Sequence, residues 1–379
     1  MARHYLDHAS TSPVRPEVIE AMAQWVSGAD PGRVHTEGRM ARAALEDARE
    51  RVGAALGARP REVIFTSGAT ESINAAVFGA VAAKPGGAIV AAAVEHSAVR
   101  DASARSGAPV IEPAVDGDGR ISVAEVTQAV AGRDVALANC QWGNHEVGTL
   151  QPLDAIVAAC RHADALVHVD AAAAAGHVPI DFGAVGADLM SISAHKLGGP
   201  RGIGALLVRR GLRLDPFVVG GEQERARRGG MENVAAAVGF AVALEADLAA
   251  ESVRQQMLTD RLRAAALSVE GVVSYGPLPI DDYPDMRGTL PHIVCLGVNG
   301  VEAEAVLLAL DQAGIAAHSG SACSSESLEP SPVLAAMGVD ADRSLRLSVG
   351  WSSTDADVDA FASAFPDVVA RLRQMRADG

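Results

Sequence analysis

An open α/β fold is what this 379-residue sequence predicts, with a mostly parallel central sheet, helices on both faces and a smaller α/β unit at the C-terminus. Three observations carry the prediction. From about residue 60, short apolar runs alternate with helical patterns. The runs are apolar throughout, as strands covered on both faces are. Polar residues cluster just after them, at the carboxyl edge where open α/β sheets bind ligands.

Taken in order, "MARHYLDHAS" at the N-terminus lacks the apolar stretch of a signal peptide. "EVIFTSG" reads as a strand running into a turn, and "ATESINAAVFGAVAA" as a helix. "GAIVAAAV", "VALANCQW", "ALVHVD", "DLMSIS" and "GIGALLVRR" follow as further strands. A long helix is expected from about Met231 to Leu262. Its apolar part, "NVAAAVGFAVALEADLAA", meets Glu245 and Asp247, is too short to cross a membrane and reads as buried. The chain then turns rich in proline and aspartate, in "VVSYGPLPIDDYPDMRGTLPHIVCLGV". We therefore expect a large unit over residues 15–255 and a smaller one built from 1–14 and 256–379. Within the smaller unit, Ser331 and Pro332 suit a helix start and Gly338 its end.

Composition excludes some functions. The net charge of −15 argues against a direct nucleic-acid footprint, which needs a basic face, so any nucleic acid would be reached through a partner protein. The four cysteines form no CxxC pair and no zinc spacing. No metal site is expected, and the pattern suits a reducing, cytoplasmic setting away from membranes.

Cofactor chemistry is more legible. No GxxxxGK[ST] pattern occurs, and "GPRGIGALL" lacks the third glycine of a dinucleotide fingerprint. In "TSGATES" a strand runs into Gly68, and Ala69 and Thr70 open a helix. Its backbone N–H groups and the Thr70 hydroxyl suit a phosphate, although an ordinary capped helix would read the same way. Asp170 ends the apolar strand "VHVD", where a buried carboxylate needs a cationic partner or becomes neutral. Lys196 ends "SISAHK" after another strand, and a lysine partly desolvated there can form a Schiff base. A phosphate cradle, a carboxylate for a pyridinium nitrogen and a lysine for an aldehyde together describe pyridoxal phosphate. A separate feature is "SGSACSSESLEPS", residues 319–331, which sets Cys323 among serines and glycine as in a pliable loop with a reactive thiol.

With these motifs in hand, the sequence resembles a known family. "YLDHASTSPV", "VIFTSGATES", "EHSAV", "NHEVGTLQP", "HVDAAAAAGHVPID", "SAHKLGGPRGIGAL", "GGEQERARRGG" and "SGSACSSESLEPS" are similar, in order, to segments of the cysteine desulfurases. The branch is the one that supplies sulfur for iron–sulfur assembly and tRNA thiolation. The resemblance implies a pyridoxal phosphate enzyme of fold type I, a homodimer with active sites at the subunit interface. It implies that Lys196 holds the cofactor covalently, Asp170 pairs with its ring nitrogen, and His96 stacks on the ring and shares in catalysis. Ala69, Thr70, Ser193 and His195 would hold the phosphate, and Arg346 in "SLRLSVG" the substrate carboxylate. Cys323 would take sulfur from L-cysteine as a persulfide, release L-alanine and deliver the sulfur to an acceptor protein, a journey that a pliable loop permits. Cys140, Cys160 and Cys295 lie in strand and helix patterns and read as small core residues.

Three positions depart from the family's pattern. Ala173 stands where a glutamine usually bonds the cofactor's phenolic oxygen. His145 replaces an asparagine near that oxygen and the substrate carboxylate, and its imidazole can donate to either. Met231 replaces a threonine directed at the neighbouring subunit's phosphate. The altered pocket leaves two alternatives to a desulfurase, a related lyase or aminotransferase acting on another amino acid and a degenerate scaffold paralogue. Cys323 speaks against the first, because those reactions need no thiol.

Overall fold

The structure is a computed structural model that describes residues 3–278, 288–319 and 331–378. Twelve strands appear among these residues. The first, β1 (His4–Tyr5), precedes β2 (Val63–Thr66), β3 (Ala88–Val90) and β4 (Val110–Ile111). Next come β5 (Val135–Gln141), β6 (Leu166–Asp170), β7 (Leu189–Ser193) and β8 (Gly204–Val208). The last four are β9 (Val272–Tyr275), β10 (Ile293–Val298), β11 (Ile315–Ala316) and β12 (Ser344–Ser348).

The main sheet has the order β2-β8-β7-β6-β5-β3-β4. Alternation along each strand sends successive side chains to opposite faces. Val63 and Phe65 of β2 enter one core while Ile64 enters the other; Met190 and Ile192 of β7 are likewise divided from Leu189. Both faces are thus buried, which is why the strands read as continuous apolar runs.

Strand β8 is antiparallel to both of its neighbours, an exception that the pattern of runs does not reveal. Its cause is the connection: residues 194–203 between β7 and β8 are too few for the crossover of about a dozen or more that a parallel return needs. That short connection carries Lys196. Strand β4 pairs with β3 at the sheet edge and is too short to stand out in the sequence.

The expected long helix is two helices, Val234–Leu244 and Leu248–Leu267. Asp247 accepts a hydrogen bond from the Ala250 N–H at 3.1 Å and so caps a new helix instead of continuing the old one. The first of the pair is buried almost throughout, as its composition demands.

A second, antiparallel sheet has the order β12-β10-β9 and packs with Leu6, Leu258, Leu262, Phe361 and Phe365 in its own core. The N-terminal β1 pairs in parallel with β11, and Asp7 bridges to Ser348, so the chain start is stitched to this second sheet. The helix Pro332–Ala336 begins at Ser331, whose hydroxyl accepts from the Leu334 N–H, and Gly338 follows it at φ 73°. Cys140, Cys160 and Cys295 are buried; Cys323 lies outside the described residues.

Candidate active site

A cavity of about 500 Å³ opens at the carboxyl edge of the main sheet, where the second sheet approaches it. It collects Ala69, Thr70, His96, His145, Asp170, Ser193, His195, Lys196 and Arg346, the sequence-predicted site residues other than Cys323.

One wall is the sheet edge. The helix Ala69–Ala83 starts at Gly68, whose φ of 152° favours glycine, and no side chain caps it. A Cβ at Gly204 would fall 2.8 Å from the Gly68 Cα, so β8 can pass this turn only as glycine. Fifteen residues of helix therefore point an uncapped N-terminus, with its partial positive charge, at the cavity. Glu71 in the first turn does not oppose an anion there: Arg228 pairs with it at 2.9 Å and the Ser67 N–H donates to it at 2.8 Å.

Asp170 ends β6 and is buried, accepting one hydrogen bond from the Ala172 N–H at 3.0 Å. Burial raises its pKa, against the smaller opposing effects of that N–H and of the Lys196 charge. A carboxylate so placed is completed by a cationic ring nitrogen. Lys196 closes a 3-10 turn directly after β7, and the Ser12 hydroxyl donates to its carbonyl at 3.0 Å.

His96 caps the helix Ser97–Arg105, its Nδ1 accepting from the Ala98 N–H at 3.1 Å. Burial, then the charges of Lys196 and Arg100, lower its pKa to about 4, so the ring is neutral with its hydrogen on Nε2. His195 is held to about 4 by burial and by Lys196 and Arg201.

The other wall is built from the second sheet and the chain start. Arg346 in β12 is 1% exposed. It donates to the His145 carbonyl at 2.8 Å, the Ser10 hydroxyl at 2.7 Å and Asp7 at 3.1 Å, while its Nε has no partner among the described residues. The His145 ring meets that of His96 edge to face at 5.0 Å and brings Nε2 to 3.6 Å from Glu146 Oε1. Burial pushes the Glu146 pKa up to about 7. Its other oxygen accepts from the Ser331 hydroxyl at 2.5 Å, which ties this wall to the start of the helix Pro332–Ala336.

Of the three departures, Ala173 and His145 line the cavity. Met231 does not. It is 68% exposed and borders a neighbouring recess that shares Ser67 and Gly202 with the main cavity. Sequence reasoning missed Gln141 and Arg201, which also line the cavity, and Asp7 and Ser10, which hold Arg346. A signal existed for Gln141, a polar residue closing an apolar strand beside the one that ends in Asp170. None existed for Asp7, which reaches Arg346 across 339 positions.

An uncapped helix start for a phosphate, a buried carboxylate for a cationic nitrogen and a lysine for an aldehyde fit pyridoxal phosphate. Fold and site thus define an enzyme of the class V aminotransferase type, and the family model described as "Aminotransferase class-V" matches residues 4–361. The chain belongs to that family and, within it, to the cysteine desulfurases.

It is 42% identical to the "IscS-like cysteine desulfurase" of Mycobacterium tuberculosis, covering 98% of this chain and 97% of that one. It is 38% identical to the "Putative cysteine desulfurase IscS 1" of Bacillus subtilis, covering 98% and 100%. A solved "NIFS-LIKE PROTEIN" superposes with a TM-score of 0.89 at 30% identity, covering 98% of this chain and 100% of that one. Another structure, "SspA in complex with cysteine", superposes with a TM-score of 0.78 at 28% identity, covering 93% and 100%.

Proposed function

We propose that this chain converts L-cysteine to L-alanine with pyridoxal phosphate, and that Cys323 receives the sulfur as a persulfide for delivery to an acceptor protein. The observation that carries the reading is the convergence of Asp170, Lys196 and the uncapped start of the helix Ala69–Ala83 on one cavity.

Ala69 and Thr70 would hold the phosphate with Ser193 and His195, and Asp170 the ring nitrogen. The bound cofactor would draw electrons from the substrate's Cα, making its hydrogen acidic and the Cβ–S bond breakable. Lys196 anchors the cofactor and moves the Cα proton through Nζ. His96, neutral at physiological pH, would stack on the cofactor ring and offer Nε2–H as a proton donor. Arg346 takes the substrate carboxylate, already oriented by Asp7, Ser10 and the His145 carbonyl, and His145 adds a second polar contact. The Cys323 thiolate attacks the substrate sulfur, an S–S bond replaces the C–S bond, and alanine leaves with the proton that completes its methyl group.

Division into residues 15–255 and a second unit of 1–14 with 256–379 is supported by the core that Leu6, Leu258, Leu262, Phe361 and Phe365 share, while Cys295, Val333, Leu334 and Met337 of the second unit pack into the core of the first. A homodimer is supported by the exposed Val219 and Met231, which flank "GGEQERARRGG". A cytoplasmic setting is in keeping with the described residues, none of whose helices is long and apolar enough to cross a membrane. The acceptor we propose belongs to iron–sulfur assembly or to a thiolation pathway.

The test is product analysis from L-cysteine with a reductant and added cofactor. Equimolar alanine and sulfide from the parent, abolished in Cys323→Ser, is the expected result. Neither product from a cofactor-loaded parent would overturn the reading and point to another amino acid as substrate.

A further inference from the structure

Gln141 is the last residue of β5, and its Cα lies in register with Asp170 on the parallel neighbour β6. Registered residues on adjacent strands project to the same side, and both line the cavity. Gln141 is 2% exposed. Its backbone N–H donates to Glu95 Oε1 at 2.9 Å, and its Oε1 accepts from Asn144 Nδ2 at 3.5 Å. Its Nε2 has no partner among the described residues. A buried amide donor left unmade is costly, so native folds keep one where something supplies the acceptor. Glu95 Oε2 is also unpartnered, but Glu95 does not line the cavity, so a ligand there meets Gln141.

This inference rests on the proposed function, and it concerns the acceptors that pyridoxal phosphate carries. The phosphate oxygens have the start of the helix Ala69–Ala83, and the ring nitrogen has Asp170. The phenolic oxygen is left. The Ala173 side chain has no donor for it, and His145 brings its Nε2 toward Glu146. We infer that Gln141 is a cofactor-binding residue whose Nε2 donates a hydrogen bond to the phenolic oxygen, supplying the contact that Ala173 cannot make.

The test titrates apo-protein with pyridoxal phosphate for the parent, Gln141→Met and Gln141→Leu, and follows the cofactor's absorption band against pH. Both variants should keep the parent's apo melting midpoint, because the donor they remove has no partner among the described residues and Asn144 Nδ2, on losing the 3.5 Å contact to Gln141 Oε1, keeps its bond to the Val94 carbonyl at 3.2 Å. Both should bind cofactor roughly five- to tenfold more weakly, the loss of about one hydrogen bond. The band should titrate at higher pH, since a phenolic oxygen deprived of its donor holds a shared proton more tightly. Unchanged affinity and an unchanged titration would overturn the assignment. So would variants that fail to fold or melt well below the parent, which would make Gln141 a structural residue. A parent that takes up no cofactor would overturn the proposed function and this inference together.

Discussion

The two walls of the cavity are finished in opposite ways. On the sheet-edge wall, polar groups are left for a ligand among the described residues: a helix start with no side-chain cap, a buried carboxylate that accepts from one N–H, and an amide whose Nε2 has no partner. On the opposite wall Arg346 is already engaged by Asp7, Ser10 and the His145 carbonyl, and Glu146 by Ser331. The first wall gains stability when a cofactor arrives, by linkage. The second is organised beforehand, so a substrate carboxylate bound as proposed would meet a guanidinium whose orientation is set. Cofactor retention and substrate orientation should therefore fail separately.

The largest effect expected from breaking the contrast is at Arg346. Arg346→Ala should raise KM for L-cysteine and also destabilise the apo-protein by about 2–4 kcal/mol, because Asp7 and the His145 carbonyl lose their donor. Urea unfolding reads the second effect. A loss of activity at full stability would show that the wall is not organised as described.

Asp170→Ala should do the reverse. Cofactor affinity should fall about 10- to 100-fold with the loss of a charge-assisted contact, while apo stability changes by less than about 1 kcal/mol. Cofactor titration and melting of the same preparation separate the two quantities.

A smaller effect is expected with pH, and it sharpens the account of the organised wall. Behind that wall His177 stacks on His292 with ring centroids 3.5 Å apart, and His8 lies buried nearby. Burial lowers the His8 and His177 pKa values to about 4 and that of His292 well below the ordinary histidine value. The folded state then binds fewer protons than the unfolded chain below the ordinary histidine pKa. Stability should be full above pH 6.5 and fall between about 6.5 and 4, by up to about 1.4 kcal/mol per pH unit for each histidine. Urea midpoints at pH 8, 6.5 and 5 test this, and His177→Gln should flatten the slope.

Much of the sheet-edge wall was legible in the sequence, because its residues sit at the ends of single elements. Asp170 closes an apolar strand, Lys196 follows another by three residues, and Gly68 precedes a helix, so each announces itself within a few residues. Arg346 was found through resemblance, and its partners were invisible because they come from the other end of the chain. The break at Glu245–Asp247 was misread because an apolar pattern ran across it, and a side-chain cap acts on a finer scale than that pattern.

By itself, then, the sequence determined most strands of the main sheet and the helix after Gly68, the division of their side chains between two faces, and the residue types at the strand ends. Those properties follow from local periodicity and covalent geometry. Only the tertiary structure decided that β8 runs antiparallel, that the chain start locks Arg346 in place, and that Gln141 stands beside Asp170 with a donor unspent. The first rests on a connection too short for a parallel return; the other two depend on which distant segment arrives alongside, and a hydrogen bond is made or left unmade only when it does.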